Sequence, residues 1–509
     1  MNKRGIKILS KGYGIMKFSH LRDLVECNNT PSNKAAVIEV NGRCVYTYAE
    51  LKSLVNDLKT ELYNLNVKER MHVAVVGGNS LQFIVAYFAI QSIDAVCIPM
   101  SGSEAKFDMD RIIDTCQISY VLFCDDYNEE HSLRLSVVRR KFGITLCRVS
   151  LEFDTTNCPK DVALLLRTSG SILNPKIVMH SHSSLLFSAN SHAESVGYTK
   201  EERTLVVLPL CYVFAHTSQM LATLSVGGTI ILFPSGNMFN VNSFKDVVQE
   251  FRITSTALMA TYLRMLATTA ERSLFKLESL QHICFAGGPT PQSIVSSLSR
   301  NLKNVKLLRA YGLTEAGPRV SVVRPANSEY NVSSGHPVEG IEVQITNVAD
   351  GVGEIIVKGP NIMRGYYNDV DATNLVIKDE FLHTGDLGFL DNNGELHVVG
   401  RIKNMVISMG MKVFPEEVED ILNSHYLVKE SLVKGVSNEV FGEMVIAFIV
   451  LEEKEAEEEE VEKILVGHCK GRLPTHSVPR KIYVVEKLEK TINGKLKRTS
   501  AAHTNILSS

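Results

Sequence analysis

The sequence carries little net charge and no closely spaced cysteines, and these two absences exclude several classes of protein. Its 509 residues have a formal charge of -2 at pH 7, which gives no electrostatic basis for binding nucleic acid or an anionic membrane. The ten cysteines are scattered without a C-x-x-C pair, which argues against a zinc site or a disulfide framework. We therefore interpret them as small buried side chains of a protein in a reducing compartment.

Long apolar segments are also missing. No stretch is long and apolar enough to span a bilayer, so we expect no membrane span. Residues 1–18 are basic but lack the continuous apolar core and the cleavage site of a secretory signal. A content of 45% hydrophobic and 22% charged residues is typical of a soluble globular protein. We therefore expect a cytoplasmic protein of about two to four structural units.

Strand and helix patterns alternate through the first part of the chain. Residues 46–62 space their apolar side chains like an amphipathic helix, and residues 81–95 predict a second helix. Short apolar runs typical of buried strands occupy 71–80, 96–100, 120–124, 204–210, 227–233 and 305–312. This alternation predicts an α/β architecture, with parallel sheets covered by helices.

The pattern changes after about residue 330. From there to Arg401, short β segments broken by Gly and Pro predict a small barrel or a twisted antiparallel sheet. Beyond Arg401 a helix, a strand and another helix predict an α+β unit, with the acidic run at 452–465 as a solvated loop leading into its last helix. We therefore expect an N-terminal domain over 1–401 and a C-terminal domain over 402–509.

A loop rich in small residues, "RTSGSILNPKIVMHSH" (167–182), follows an apolar run and carries one lysine, Lys176. Loops of this kind cradle phosphate through their backbone N–H groups. It is not a Walker loop, because Pro175 stands where a second glycine is needed and Ile177 where Ser or Thr is needed. Taken alone, the loop is explained equally well as an ordinary turn.

The stretch "RAYGLTEAGP" (309–318) closes a buried strand with residues suited to a nucleotide. Tyr311 can stack on a planar base, and Gly312 allows a close backbone approach. Thr314 and Glu315 offer a hydroxyl and a carboxylate, which suit a Mg²⁺ ion that bridges nucleotide phosphates. The alternative is a turn at the end of the strand, followed by a capped helix.

Two further stretches carry isolated charged residues. In 381–419, Asp386 lies between two glycine-bearing turns, where its carboxylate can accept both hydroxyls of a ribose, and Arg401 begins the connector to the last domain. In 490–498, Lys495 follows "NG", a signal for a tight turn. Each also has an ordinary explanation, namely an aspartate in a turn, an arginine at a strand end and a solvated lysine.

Taken in order, these stretches resemble one family. The succession "TSGS…PK", "YGLTE", "HTGD", "GRIKN" and "NGK" is the motif series of the adenylate-forming superfamily, which includes acyl- and aryl-CoA synthetases, peptide-synthetase adenylation domains and firefly luciferase. The resemblance extends to 286–291, 335–343 and 353–369, and so covers the chain nearly end to end. It implies a large N-terminal domain of two α/β subdomains and a β-barrel-like subdomain, followed by a small mobile α+β domain.

The resemblance also implies a reaction. Family members join a carboxylic acid to ATP with loss of pyrophosphate, and a thiol then displaces AMP from the acyl-adenylate. The mixed anhydride activates the acid, and positive charge must face the negative charge that develops at the α-phosphate. The implied cofactors are ATP, Mg²⁺ and CoA or phosphopantetheine. The implied partners are a small carboxylic acid and either CoA or an acyl carrier protein.

The resemblance assigns most site residues to the nucleotide. The expected phosphate contacts are Thr168, Ser169, Gly170, Ser171 and Lys176. The expected contacts with the base, the ribose and the acyl slot are Gly287, Gly288, Pro289, Ala310, Tyr311, Gly312, Asp386 and Arg401. The catalytic set would be Thr314 at the α-phosphate, Glu315 on Mg²⁺, and Lys495 between the acyl carboxylate and the α-phosphate. Lys403 would be the hinge of the mobile domain, and Gly410 would leave room for a pantetheine arm in the thiol step.

The chain departs from the family pattern in the phosphate loop, where Ile172-Leu173 replace Thr-Gly and Ile177 replaces Gly. These changes remove a hydroxyl and a flexible glycine, so we expect modest nucleotide affinity or turnover. Asn404 stands where an aspartate is usual. None of these residues is assigned to the chemistry. We therefore expect a working enzyme, with a non-catalytic nucleotide-binding homologue as the alternative.

Residues 208–220 bear on the identity of the acid. Amino-acid-activating members carry an aspartate for the substrate ammonium, whereas this segment has Cys211-Tyr212 and no acidic residue, so an α-amino acid is disfavoured. Tyr212 occupies the position of a gating aromatic residue, and His216 is either a packed structural histidine or, as the less favoured alternative, an acyl contact. We expect an aryl or short-to-medium acyl acid. CoA is the expected acceptor, with a carrier-protein phosphopantetheine as the alternative.

Overall fold

The computed structural model describes residues 18–125, 132–168, 175–233, 239–272, 277–287, 290–324, 333–349, 351–438, 442–452, 458–490 and 496–498. Within these ranges, no helix combines the length and the apolar character needed to cross a membrane. All ten cysteines are free thiols, and most are buried as expected. Cys27 and Cys44 are exposed instead, because one ends a four-residue helix and the other begins an edge strand.

The strands of the described residues fall into four sheets. The first half of the chain forms β1 (Ala35–Glu39), β2 (Cys44–Thr47), β3 (His72–Val76), β4 (Val96–Met100), β5 (Tyr120–Phe123), β6 (Leu135–Lys141), β7 (Ile144–Val149), β8 (Val162–Arg167), β9 (Ile177–Ser181), β10 (Arg203–Val206), β11 (Thr229–Leu232) and β12 (Ser255–Leu258). The remainder forms β13 (His282–Phe285), β14 (Lys306–Tyr311), β15 (Ser321–Val322), β16 (His336–Pro337), β17 (Glu342–Ala349), β18 (Val352–Lys358), β19 (Gly365–Tyr366), β20 (Ile377–Lys378), β21 (Phe381–Leu390), β22 (Leu396–Arg401), β23 (Val406–Ser408), β24 (Met411–Val413), β25 (Val428–Asn438), β26 (Gly442–Leu451) and β27 (Lys481–Val484).

The helices connect and cover these sheets. They are α1 (Asp23–Glu26), α2 (Tyr48–Asn64), α3 (Leu81–Gln91), α4 (Gly102–Cys116), α5 (His182–Val196), α6 (Val213–Ala215), α7 (Ala222–Ser225), α8 (Val241–Glu250), α9 (Ala260–Arg272), α10 (Gln292–Asn301), α11 (Val370–Val376), α12 (Pro415–Asn423) and α13 (Glu458–Lys470). A π-helical segment, His216–Leu221, joins α6 to α7. The predicted mixture of strands and helices is therefore confirmed.

Two large sheets with parallel centres form most of the molecule. One has the order β16-β15-β14-β13-β12-β10-β11-β1-β2, and the other has the order β19-β9-β8-β4-β3-β5-β7-β6. In the first sheet, six successive strands are parallel to one another, namely β14, β13, β12, β10, β11 and β1. The alternation in the sequence predicted such sheets, and their edges are closed by antiparallel strands.

Each large sheet is buried on both faces, which explains the unbroken apolar runs in its strands. Along β3, Val73 and Val75 join the core between the two sheets, whereas Ala74 and Val76 face the layer that contains α4. Helices α8, α9 and α10 cover the outer face of the nine-stranded sheet. The result is five layers, in which helices and sheets alternate.

Helices α2 and α3 lie in the middle layer and show two sequence patterns. Helix α2 buries residues spaced three and four apart, and its Thr47 N-cap pairs reciprocally with Glu50 in a capping box. In α3, ten of the eleven residues are buried, because the helix is enclosed between the two sheets. The first helix therefore shows the amphipathic period, and the second is apolar on all sides.

The last third of the chain forms two smaller sheets. Strands β17, β18, β21 and β20 form an antiparallel sheet, with β22 added on β21, as the Gly- and Pro-broken segments predicted. Beyond Arg401, β24, β23, β26 and β25 form a further sheet with β27 parallel to β26, packed against α12 and α13. The exposed glutamates of the acidic run begin α13 at Glu458.

Candidate functional site

The carboxyl ends of the parallel strands of the nine-stranded sheet meet at one edge, which is where α/β proteins usually bind ligands. Tyr311 ends β14, Gly287 follows β13, and Tyr212 follows β10. Gly287 has a φ of +92°, a conformation that favours glycine, although a Cβ there would meet nothing within 4 Å. The fold therefore brings three separately predicted residues to the same edge.

Asp386 is the centre of a three-residue cluster at this edge. Its Oδ2 accepts a hydrogen bond of 2.7 Å from the Tyr311 hydroxyl, and its Oδ1 accepts one of 2.6 Å from Arg401 Nε. Asp386 and Arg401 are direct partners on β21 and β22. The Asp386 side chain is only 6% exposed, whereas Arg401 is 45% exposed. Each carboxylate oxygen retains a second lone pair, which can accept a ribose hydroxyl.

The electrostatics of this cluster fix the protonation states of Tyr311 and Arg401. Burial, reinforced by the Asp386 charge, raises the pKa of Tyr311 well above its ordinary value, so the hydroxyl remains a donor. Burial opposes the charge of Arg401, but Asp386, with smaller contributions from Tyr311 and Glu315, outweighs burial and raises the pKa of Arg401. The cluster therefore pairs the Arg401 guanidinium with the Asp386 side chain and keeps a neutral phenol beside them.

A second cluster joins the loop lysine to Glu315. The Tyr366 hydroxyl donates a 2.9 Å hydrogen bond to Glu315 Oε1, and Lys176 Nζ lies 4.3 Å from the centre of the Tyr366 ring. The Met363 N–H donates to the Glu315 carbonyl at 2.9 Å. Burial and then the Glu315 charge raise the pKa of Tyr366, so its hydroxyl also remains a donor. A cationic group therefore lies over the face of one aromatic ring, and a carboxylate accepts a hydrogen bond from the hydroxyl of the same ring.

Thr314 is positioned by a histidine that the sequence did not single out. His180, at the end of β9, has its Nε2 2.6 Å from the Thr314 carbonyl and its Nδ1 3.2 Å from the Ser184 hydroxyl. Burial lowers the pKa of His180 to about 4, so the ring is neutral and its Nε2–H donates to Thr314. Tyr366 was likewise missed as a site residue. In the sequence, each of these polar rings lies within a stretch that resembles the family, 167–182 for His180 and 353–369 for Tyr366. No rule of spacing identified the hydrogen-bond partner of either ring.

The predicted phosphate loop begins and ends in a β-hairpin. Arg167 pairs with Ile177 across β8 and β9, and the Thr168 N–H donates to the Lys176 carbonyl at 2.9 Å. Ile177 is buried among the residues that pack against α4, so the usual glycine at this position is replaced by a core residue in an ordinary strand. The position of Lys176 is therefore fixed by strand pairing.

On the acyl side, His216 is fully buried against the ring of Tyr87, with the ring centroids 4.6 Å apart. Burial lowers the pKa of His216 to about 3, which keeps it neutral. Tyr212 is partly buried and precedes α6. The favoured interpretation of His216 as a packed histidine agrees with its burial, and the gating role of Tyr212 remains a prediction.

Gly312 has a structural requirement of its own. A Cβ at this position would lie 2.4 Å from the carbonyl carbon of Pro318 and 2.9 Å from the Arg319 nitrogen. The sequence predicted a close backbone approach at Gly312. In the structure, the backbone of residues 318–319 makes this approach where it passes the end of β14.

Comparison with known proteins identifies the family. The family model described as AMP-binding enzyme matches residues 25–367, and that of the AMP-binding enzyme C-terminal domain matches residues 417–495. The chain belongs to the AMP-binding enzyme family. This enzyme is 28% identical over 482 residues to the indoleacetate–CoA ligase of Aromatoleum aromaticum, with 89% of this chain and 92% of the relative covered. It is 32% identical over 344 residues to the 2-succinylbenzoate–CoA ligase of Bacillus subtilis, with 66% and 68% covered.

A solved structure has the same fold. The o-succinylbenzoate CoA synthetase of Bacillus subtilis, in complex with its acyl-adenylate OSB-AMP, superposes with a TM-score of 0.80 at 24% identity. The match covers 94% of this chain and 97% of that one. The predicted fold class is therefore confirmed across nearly the whole AMP-binding enzyme.

The residues predicted as the hinge and for the thiol step are exposed. Lys403 is exposed in a short 3₁₀ turn, Ile402–Asn404, that follows Arg401. Gly410, with a φ of +76°, lies next to Met409 in the exposed turn between β23 and β24. Asn404 replaces the usual aspartate and donates a 2.8 Å hydrogen bond to Glu416 Oε1, a contact that a second carboxylate could not make.

Some predicted residues lie outside the described part of the AMP-binding enzyme. These are Ser169, Gly170, Ser171, Gly288, Pro289 and Lys495. The residues on either side of the segment that carries Lys495 are described, and Lys490 pairs antiparallel with Leu496. The assignments of these residues remain predictions.

Glu315 provides a ligand of the type that Mg²⁺ requires. Magnesium usually binds through one or two carboxylates together with substrate phosphates and water. Glu315 retains its second oxygen after accepting the Tyr366 bond, and Lys176 on the same ring supplies charge for phosphate. Among the described residues, the one group of three or more clustered His, Cys or acidic side chains is Asp391, Glu395 and His397, and Glu315 is not part of it. The residues present therefore fit a magnesium ion shared with ATP.

Proposed function

We propose that this enzyme is an AMP-forming acid–thiol ligase that activates a carboxylic acid with ATP and transfers it to CoA. The observation that carries the proposal is the convergence of the two clusters at one strand end. Asp386 with Tyr311 and Arg401 suits a ribose, and Glu315 with Lys176 suits the phosphates. Relatives that match about nine-tenths of the chain are CoA ligases, which supports the thiol step.

In the first half-reaction an oxygen of the acid carboxylate attacks the α-phosphorus, and the bond to pyrophosphate breaks. Both reactants are anions, so the barrier falls when fixed positive charge faces the oxygens where negative charge develops. Lys495 would supply that charge at the reacting carboxylate, and Lys176 would hold the departing phosphates. Bound Mg²⁺, held by Glu315, would neutralise further phosphate charge.

In the second half-reaction the CoA thiol attacks the acyl carbon and AMP leaves. The turn at Met409–Gly410 is exposed, and nothing lies within 4 Å of a Cβ built on Gly410, so a slender pantetheine arm could pass along it after the domain rotates. We infer that residues 1–401 form the stationary domain and residues 402–509 the mobile one, with Lys403 as the hinge. A phosphopantetheine arm on a carrier protein is the alternative acceptor.

The acid is proposed to be an aryl or short-to-medium acyl acid. No carboxylate adjoins Tyr212 in the sequence to hold an amino group, and the relatives named above act on indoleacetate and 2-succinylbenzoate. A cytoplasmic location is proposed, because ATP and CoA are cytoplasmic metabolites and all ten cysteines are free thiols. The non-catalytic alternative is prompted by Ile172-Leu173, which lie outside the described residues, and the experiment below tests it.

Exchange of labelled pyrophosphate into ATP tests the proposal, because this exchange requires reversible adenylation of an added acid. The wild-type enzyme should exchange label only with certain acids from a panel of aryl and acyl acids, and it should form a thioester when CoA is added. Glu315→Gln should suppress the exchange, whereas Glu339→Gln, which changes an exposed carboxylate, should not. Binding of ATP without exchange for any acid would favour the non-catalytic alternative.

A further inference from the structure

Arg319 is the largest fully buried side chain among the described residues. Its Nε donates a 2.8 Å hydrogen bond to His192 Nδ1, and its Nη1 donates one of 3.1 Å to the Pro318 carbonyl. Its guanidinium lies over the ring of Phe214, with Cζ 4.9 Å from the ring centre. Arginine is almost never fully buried unless it is paired, so a partner for this charge is expected.

The contacts of Arg319 do not neutralise it. Within the described ranges no carboxylate forms an ion pair with Arg319, and its Nη2 is buried without a hydrogen-bond partner. Burial, together with the charge of Arg319, holds the pKa of His192 well below its ordinary value, so His192 is a neutral acceptor. The other groups that act on Arg319 are Cys284 and Tyr198, and burial raises the pKa of both, so they stay uncharged as well. Burial lowers the pKa of Arg319, but a guanidinium keeps its proton in proteins, so a buried one without a counter-ion is costly.

Arg319 lies between the nucleotide side and the acyl side of the site. The N–H of the next residue, Val320, donates a 2.8 Å bond to the Tyr311 carbonyl, which places Arg319 beside the end of β14. On the other side, Phe214 belongs to α6, which begins directly after Tyr212. Because the acyl group must lie between the α-phosphate and the predicted gate, Arg319 borders the expected acyl slot.

We propose that Arg319 binds a second carboxylate at the far end of the acid, so that the substrates of this enzyme are dicarboxylic acids. This inference rests on the proposed function, since it concerns the acid that is adenylated. The guanidinium has N–H groups remaining after His192 and Pro318 are bonded, and arginine grips carboxylates through two parallel N–H···O bonds. A dicarboxylic acid supplies the missing counter-ion, whereas a monocarboxylic acid of equal length leaves the guanidinium unpaired.

Matched pairs of acids that differ by one carboxylate test the proposal. The pairs are adipate with hexanoate and terephthalate with benzoate, each assayed by pyrophosphate exchange over a range of acid concentrations. The wild-type enzyme should prefer one or both dicarboxylic acids by about a hundredfold or more in kcat/KM, because a site built to bond a polar group rejects the analogue that lacks it. Arg319→Met keeps the length of the side chain but removes its charge. This variant should lose the preference, and its kcat/KM for the monocarboxylic acids should rise.

Two control variants keep the outcomes distinct. Arg203→Met removes a partly buried arginine that bonds the Phe251 carbonyl, and it should leave the acid preference unchanged. Arg319→Lys retains the charge and should retain part of the preference, which a purely structural role would not predict. If Arg319→Met fails to fold, the preference of the wild type and of Arg319→Lys decides the question.

The results separate this proposal from the function on which it rests. Exchange that is equal for both members of each pair would overturn the role of Arg319 and leave the ligase function standing. An absence of exchange with every acid would contradict the ligase function. Calorimetric titration of the same pairs into the wild type and Arg319→Lys would then decide the role of Arg319. Tighter binding of the dicarboxylic acids would support the role, and equal or absent binding would overturn it.

Discussion

Replacing Asp386 by alanine should weaken the binding of ATP without changing which acid the enzyme prefers. The side chain is 6% exposed and accepts hydrogen bonds of 2.7 Å from Tyr311 and 2.6 Å from Arg401. The proposed ribose contacts are bonds from neutral hydroxyls to a charged carboxylate. Such bonds contribute about 1.5–3 kcal/mol each.

The magnitude follows from these contacts. Loss of both ribose bonds, about 3–6 kcal/mol together, corresponds to about a 100- to 10,000-fold weaker affinity, since each 1.4 kcal/mol is about tenfold. Arg401 is 45% exposed and can be hydrated once its partner is removed. The buried Tyr311 hydroxyl would be left without its acceptor, which costs about 1–3 kcal/mol of folding stability. We therefore expect the KM for ATP to rise by about 100-fold or more, together with a measurable loss of stability.

Tyr311→Phe is the matched control for Asp386→Ala. It removes the 2.7 Å hydrogen bond but leaves the Asp386 carboxylate and its Arg401 partner in place. Pyrophosphate exchange should be measured at varied ATP for each acid of the panel, with urea unfolding in parallel. The KM for ATP should change far less in Tyr311→Phe than in Asp386→Ala. An altered acid ranking in Asp386→Ala, or an unchanged KM for ATP, would refute the ribose assignment.

Three further variants test other parts of the enzyme. Tyr212→Ala should change the acid selectivity while ATP affinity stays nearly constant in the exchange assay, and an unchanged acid profile would place the acyl pocket elsewhere. Tyr366→Phe removes the bond to Glu315, so the Mg²⁺ concentration for half-maximal exchange should rise about 10- to 100-fold, and an unchanged requirement would argue against Glu315 as the ligand. Burial raises the pKa of Asp420 from 3.8 to about 6 although Arg309 opposes the shift, so the folded protein binds the extra proton and its stability should fall as the pH rises from about 4 to about 6. Asp420→Asn should flatten that part of the curve in urea unfolding from pH 4 to 7, and an unchanged slope would show that another group titrates.

The elements of the fold were predictable where the sequence pattern repeats. The period of α2 and the apolar runs of β3 and β14 follow from the geometry of helices and buried strands. The order of the strands within the two large sheets was not predictable, because it depends on crossovers between segments far apart in the chain. For example, β1 pairs with β11, about two hundred residues later.

The site was predictable as a set of residues but not as a set of contacts. Asp386, Tyr311 and Arg401 were each selected from a motif, and their hydrogen bonds follow from the meeting of separate sheets. His180 and Tyr366 were missed, because a histidine and a tyrosine in short strands give no signal until their partners are known.

Arg319 was missed for a different reason. It directly follows a quoted motif, and arginine at the end of a loop is usually exposed. Its complete burial results from the return of residues 318–319 past Gly312, a feature of tertiary packing that no local pattern indicates.

The most direct test of the two-step ligase mechanism is to measure both half-reactions in Lys495→Ala. If this lysine neutralises charge only while the carboxylate meets the α-phosphate, pyrophosphate exchange should fall by about a hundredfold to a thousandfold. Transfer from chemically made acyl-adenylate to CoA should stay near the wild-type rate, because the rotated domain then carries the lysine away from the site. Lys497→Ala is the matched control and should retain both rates. An equal loss in both half-reactions would contradict the two-conformation mechanism, and an undiminished exchange rate would contradict the catalytic role of Lys495.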